Sequence, residues 1–208
     1  IVQTSASEAT LKLSVLAHSP IERIEVRNGT EVLEIFRPYT SAELGNRIRV
    51  IWSGAEYRGR GRQSSWTGRA VFRDCRIKQF SKINAWNHER RLERCSRNTV
   101  EWDAITTGNF GGFDVWLNEG NAAQLDLTTN RGTIRKTLES VGLEDTVLEA
   151  GGLERQLRVF RLPDENPHRE VDHELRIRLK PNCDNPLWIC VTTEDGFQAW
   201  SSPVFVFQ

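Results

Sequence analysis

The sequence predicts a mostly β protein: an antiparallel β-sandwich, Ig-like or jelly-roll-like, with an inserted or elaborating β-rich segment and at most one or two short helices. Three observations carry this. Short runs alternate apolar and polar residues, as half-buried strands do. Turn residues punctuate the chain about every 8 to 15 positions, the spacing of a sandwich. No strand–helix–strand rhythm exists, which excludes a doubly wound sheet or a (β/α) barrel.

The elements follow in order. Leu11-Lys12-Leu13-Ser14-Val15-Leu16 alternates strictly. Ile21–Arg27 and Val32–Phe36 flank Asn28-Gly29, two residues that tolerate positive φ and so close a hairpin. Ser41–Leu44 reads as a single helical turn stopped by Gly45. Arg47–Trp52, Trp66–Phe72, Arg76–Phe80, Val100–Thr106, Phe113–Leu117 and Ala123–Thr128 read as strands. Thr133–Val141, stopped by Gly142, reads as a short helix. Leu157–Leu162, Leu175–Leu179, Leu187–Thr192 and Gln198–Val206 complete the set, the last entered through a turn at Asp195-Gly196.

At 208 residues the chain suffices for one large or two small domains with a proper core. Alternation is regular towards both ends and irregular in between. This predicts a sandwich core from residues 1–72 plus 171–208, with 73–170 inserted or elaborating it, unless 1–208 forms one continuous domain. The chain opens at Ile1, contains no Met, and closes on a core strand. That predicts a C-terminal piece of a longer protein. The start lacks a basic stretch followed by an apolar one, so no leader is visible. No apolar run reaches the roughly 18 residues of a membrane helix, so no membrane partner is expected.

Charge is balanced overall but not along the chain. Residues 1–104 hold 18 Lys+Arg against 12 Asp+Glu, and residues 58–97 hold 12 against 3. A basic stripe suits an anion. Two halves that neutralise each other explain the same pattern, and the zero net charge argues against a nucleic-acid partner. Arg outnumbers Lys 23 to 5, which reads as coding bias in a GC-rich genome before it reads as function. Cys75, Cys95, Cys183 and Cys190 form no metal-ligand spacing. They read as free thiols in a reducing, cytoplasmic setting, with Cys75–Cys95 or Cys183–Cys190 bridges as the alternative.

Two constellations are candidates for ligand contact. In Glu56-Tyr57-Arg58-Gly59-Arg60-Gly61-Arg62, strand spacing would point Arg58, Arg60 and Arg62 the same way, as an anion clamp. The competing reading is an edge strand or hairpin that uses Arg against edge pairing. Among the seven Trp, those nearest the basic stretch, Trp66, Trp86 and Trp102, would form a stacking platform for sugar rings. Trp also fills sandwich cores. Glu165–Glu174 places His168 and His173 five apart, which fits no metal motif and reads as a solvated turn. No nucleophile elbow, phosphate loop or dinucleotide fingerprint is present. No catalytic residue, metal ligand or cofactor is therefore assigned.

Several segments together resemble a known family: Pro20–Gly29, Ile48–Arg62, Thr106-Thr107-Gly108, Gly151-Gly152-Leu153, Phe160–Pro163 and Ala199–Val204. The chain resembles the C-terminal region of a bacterial family of uncharacterised domains, whose N-terminal part is similar to PHP-type (polymerase and histidinol phosphatase) metal-dependent hydrolases. The resemblance implies a non-catalytic accessory β-domain that packs on, or shapes the substrate cleft of, an N-terminal catalytic part of the same polypeptide. The metal ligands of such hydrolases lie in that part, and no position here matches them. The alternative is a stand-alone β-sandwich module that binds a carbohydrate or an anionic ligand.

Overall fold

The computed structural model describes residues 1–118 and 123–207. The first strands are β1 (Val2–Gln3), β2 (Glu8–Leu16), β3 (Ile21–Asn28), β4 (Glu31–Phe36), β5 (Arg47–Ala55) and β6 (Ser64–Arg73). They are followed by β7 (Ile77–Ile83), β8 (Leu92–Ser96), β9 (Thr99–Thr106), β10 (Phe110–Leu117), β11 (Gln124–Thr129) and β12 (Gly132–Thr137). The last are β13 (Thr146–Glu149), β14 (Leu153–Leu162), β15 (Glu170–Arg178), β16 (Asp184–Thr193), β17 (Gln198–Trp200) and β18 (Val204–Phe207). The helices among the described residues are single 3₁₀ turns at Ser41–Glu43 and Leu138–Ser140. None is long and apolar enough to cross a membrane. The fold is mostly β and sandwich-like, as the alternation predicts.

The chain forms two compact units, Ile1–Tyr39 with Asn166–Gln208, and Thr40–Glu165. The expected breaks at 72/73 and 170/171 therefore move to 39/40 and 165/166. The reason is pairing: β5 lies between β10 and β14, and β6 between β9 and β11, so both belong to the middle unit. Alternation identifies a strand but not its sheet.

The outer unit stacks a sheet of order β1-β18-β16-β3-β4, with β17 on the far end of β16, over a two-stranded sheet of β15 and β2. The Asn28-Gly29 hairpin forms as predicted, with Gly29 at φ +61°. Leu13, Ile24, Val26, Leu175 and Val191 fill the interior. Asn185, fully buried, pins the β15–β16 turn. Its amide donates to the Lys180 and Cys183 carbonyls at 3.1 Å, and its oxygen accepts from Asn28 Nδ2 and the Lys180 N–H at 2.8 Å. The Glu165–Glu174 stretch is not wholly a solvated turn. Glu170–Glu174 begins β15, where His173 stacks on Phe36 at 4.1 Å and meets Glu34 at 3.3 Å.

The inner unit is a sandwich of two five-stranded sheets, β13-β14-β5-β10-β7 and β12-β11-β6-β9-β8. The chain-consecutive pairs β5/β6, β7/β8, β9/β10 and β12/β13 hold matching places in the two sheets, the winding of a jelly roll. Ile48, Val50, Trp52, Phe113 and Val159 from one sheet meet Trp66, Phe72, Trp102 and Leu127 from the other. The expected helix at Thr133–Val141 is instead β12 and one 3₁₀ turn. Thr133, Ile134 and Thr137 are β-branched, and β11 offers an antiparallel partner in register.

The opposite face of the β5 sheet holds a buried ion cluster. Arg47 donates from Nε and Nη2 to Asp114 Oδ2 at 3.0 and 2.5 Å. Arg49 donates from Nε to Oδ1 at 2.7 Å and from Nη2 to Oδ2 at 2.8 Å. The Arg47 guanidinium also lies 4.6 Å from the Trp116 ring. Removing one member of a buried cluster leaves charge behind in low dielectric. Asp114→Ala is therefore expected to cost about 3–5 kcal/mol in urea unfolding, and a loss below about 1 kcal/mol would remove the cluster from the stabilising contacts.

None of the four cysteines forms a disulfide. Cys75 and Cys190 are buried, Cys95 and Cys183 exposed. Burial, reinforced by nearby Glu25, pushes the Cys190 thiol up to about 11. Since the thiolate is the nucleophile, native protein at pH 8 should label with iodoacetamide at Cys95 and Cys183, with Cys75 and Cys190 reacting only after denaturation. Mass spectrometry of the alkylated peptides checks this, and rapid native labelling of Cys190 would contradict its burial.

Candidate binding site at one end of the inner sandwich

Strand register gathers four connections at one end of the inner unit. Phe110 opposes Ser53, Gly112 opposes Ile83, Leu153 opposes Ala55, and Ser64 opposes Thr106. The loops 56–63, 84–91, 107–109 and 150–152 therefore emerge together. Two cavities lie among them.

The first, about 320 Å³, is bounded by loop 84–91 and the ends of β9 and β10. Asn87 shapes the loop: its Oδ1 accepts the Glu89 N–H at 3.0 Å and its carbonyl the Arg90 N–H at 3.2 Å. Asn84, in the left-handed region at φ +51°, donates from Nδ2 to the Phe110 carbonyl at 3.2 Å. This turn presents Trp86 at 70% exposure. Across the groove, Arg90 Nη1 donates to Asp103 Oδ1 at 2.9 Å. Trp52 also lines the groove, although it is itself 2% exposed. The groove thus combines one exposed indole with the part-exposed Arg90–Asp103 pair, a second guanidinium, Arg91, and the amides of Asn84, Asn87 and Asn109.

The second cavity, about 480 Å³, is lined by Tyr57, Arg58, Arg62, Gly108, Gly152 and Glu154, among others. Residues 56–63 are not a strand. Gly59 and Gly61 take φ +98° and +77°, and the Glu56 N–H reaches the Arg62 carbonyl at 3.0 Å to close a loop. Alternation through Arg58, Arg60 and Arg62 therefore does not place them on one strand face. Arg58 and Arg62 line the cavity, and Arg60 is exposed outside it. Among the described residues none of the three has an acidic partner, whereas Glu56 is engaged by Arg155 and, at 3.6 Å, by Arg131.

The turn at 107–109 is the common wall. Gly54 N–H donates to the Asn109 carbonyl and Gly108 N–H to the Gly54 carbonyl, both at 3.1 Å. Thr106 Oγ1 donates to the Gly54 carbonyl at 2.6 Å and accepts from Trp66 Nε1 at 3.0 Å.

Of the sequence candidates, Arg58, Arg62 and Trp86 reach cavities. Trp66 does not: it is fully buried and no ligand reaches it. Trp102, 3% exposed, stacks on Trp52 at 5.1 Å with planes 6° apart. Asn84, Arg90, Asp103 and Asn109 escaped sequence reading. The one signal was Asn on both sides of Ala85-Trp86, a turn composition that lifts a Trp out of a strand. Among the described residues no group of three or more His, Cys, Asp or Glu is placed to hold a metal ion.

No family model, curated protein or solved structure matches the chain.

The groove rests on a close approach behind it. A Cβ on Gly68 would fall 2.1 Å from Trp102 Cζ2. Gly68→Ala must displace the indole on which Trp52 stacks, an overpacking expected to cost about 1–3 kcal/mol with an altered near-UV circular dichroism spectrum. Wild-type stability and spectrum would mean that the Trp52–Trp102 stack is not rigidly seated.

Proposed function

We propose that the chain is a non-catalytic accessory β-protein whose inner sandwich binds a carbohydrate in the Trp86 groove. The observation that carries this is Trp86, exposed at a groove whose polar groups include the Arg90–Asp103 pair and the amides of Asn84, Asn87 and Asn109. A sugar ring offers an apolar C–H face and a rim of hydroxyls. An indole covers the first, and planar, oriented donors and acceptors suit the second.

The resemblance to the C-terminal region of PHP-type hydrolase relatives supplies the setting. Segments that carry it, Ile48–Arg62, Thr106-Thr107-Gly108 and Gly151-Gly152-Leu153, supply the second cavity's walls and converge beside the groove. On this reading a metal-dependent catalytic part precedes the chain in the same polypeptide, and the sandwich holds the polymer on which that part acts. Hydrolysis of phosphomonoesters or phosphodiesters by the purified chain would sink the accessory reading.

Titration with a panel of neutral and acidic oligosaccharides, followed by tryptophan fluorescence, tests the groove. Binding should change the emission, and Trp86→Ala should weaken it by about tenfold or more, equivalent to about 1.4 kcal/mol. Flat titrations across the panel, or unchanged binding by the variant, would reject the proposal.

A further inference from the structure

The two cavities share one thin wall. Gly108 lines one and Asn109 the other. Their Cα atoms are one peptide apart, about 3.8 Å. A chain molecule seated against Trp86 that continues over this turn arrives at Arg58 and Arg62. Those guanidinium groups have no acidic partner among the described residues, although the same unit pairs Arg69, Arg73, Arg90, Arg91, Arg155 and Arg158 with carboxylates. Arg60 adds a third positive charge to the same loop.

We infer that the ligand is an acidic glycan of mixed charge, bound with a neutral ring in the Trp86 groove and a neighbouring ring's carboxylate or sulfate on Arg58 and Arg62. The inference rests on the groove reading and adds the substrate class. Guanidinium forks bind two oxygens of a carboxylate or sulfate in bidentate fashion, which selects such groups over hydroxyls. The acids fix the rest of the pattern. Asp103 lines the groove and Glu154 the second cavity. A polymer with a charge at every unit, such as a single-stranded nucleic acid, would set a phosphate against Asp103 in the groove. A glycan whose charged units alternate with neutral ones places hydroxyls at Asp103 and its anion at the arginines.

The probes are oligosaccharides of hyaluronan and gellan, each beside a carboxyl-reduced counterpart, and of κ-carrageenan beside a desulfated one, together with oligothymidylate. The sulfated and unsulfated members separate the two anion sources. At least one acidic member should bind about tenfold more tightly than its neutralised form, an advantage that shrinks with added salt. Arg58→Gln with Arg62→Gln should abolish that advantage while leaving the neutral form's affinity and the melting temperature unchanged, since both residues sit in an exposed loop. Trp86→Ala should weaken both forms alike. Equal binding of acidic and neutralised forms, indifference to the arginine changes, or tighter binding of oligothymidylate overturns the inference and leaves the groove standing. Absence of binding by every glycan, or binding indifferent to Trp86, overturns the groove reading and the inference with it.

Discussion

One hydroxyl organises the end of the inner sandwich. Thr106 is 1% exposed, and its Oγ1 gives its single proton to the Gly54 carbonyl while accepting the Trp66 N–H. A hydroxyl has one donor and two acceptor positions, so this atom serves two strands of opposite sheets at once. The contact ties the end of β9 to β5 and seats the largest side chain of β6. Gly54 then holds the following turn through its own N–H and carbonyl. Without that anchor the wall between the two cavities would have only its own three residues to hold it. An isosteric valine would leave a buried indole N–H without an acceptor, a penalty of about 1–3 kcal/mol.

Much of the fold was legible because alternation survives in single strands. Leu11–Leu16 and Arg47–Trp52 show one face apolar, and Asn28-Gly29 has the backbone freedom its hairpin needs. Sheet membership was not legible, because β5 and β6 alternate in the same way as the terminal strands and only their long-range partners assign them. The site was half legible. Trp66 and Trp86 look alike as residues, but Ser64-Ser65-Trp66-Thr67 continues into a strand while Trp86 stands among turn formers. The arginine loop misled because Gly at every second position copies strand spacing. The same glycines permit the positive φ that bends the segment into a loop.

The arginine excess acquires a structural meaning. Arg161 donates to the carbonyls of Val141, Gly45 and Leu138, closing the second 3₁₀ turn, and burial pushes its pKa down. Arg155 joins Ala150 to Glu56, and Arg47 and Arg49 share Asp114. A guanidinium spreads five donors over a plane, so one side chain satisfies several orphan acceptors that a lysine would serve one at a time. Most of these arginines are braces. The Arg58–Arg62 loop takes no part in that bracing: its three guanidinium groups are closely spaced, exposed, and without an acid among the described residues.

That contrast bears on what the loop end does. Exposed like charges repel one another, and a bound anion would relieve that repulsion. In the groove beside it, Arg90 and Asp103 already satisfy part of each other, and what remains are outward lone pairs and N–H groups. Such a pair is preorganised to orient hydroxyls without a net charge of its own. On the proposed reading, the Trp86 indole, the Arg90–Asp103 pair and the arginine loop, which flank the turn at 107–109, would offer one ligand apolar, hydroxyl and anionic contacts in turn. A ligand that satisfies all three must change character along its length, which is a property of a heteropolymer rather than of a small metabolite.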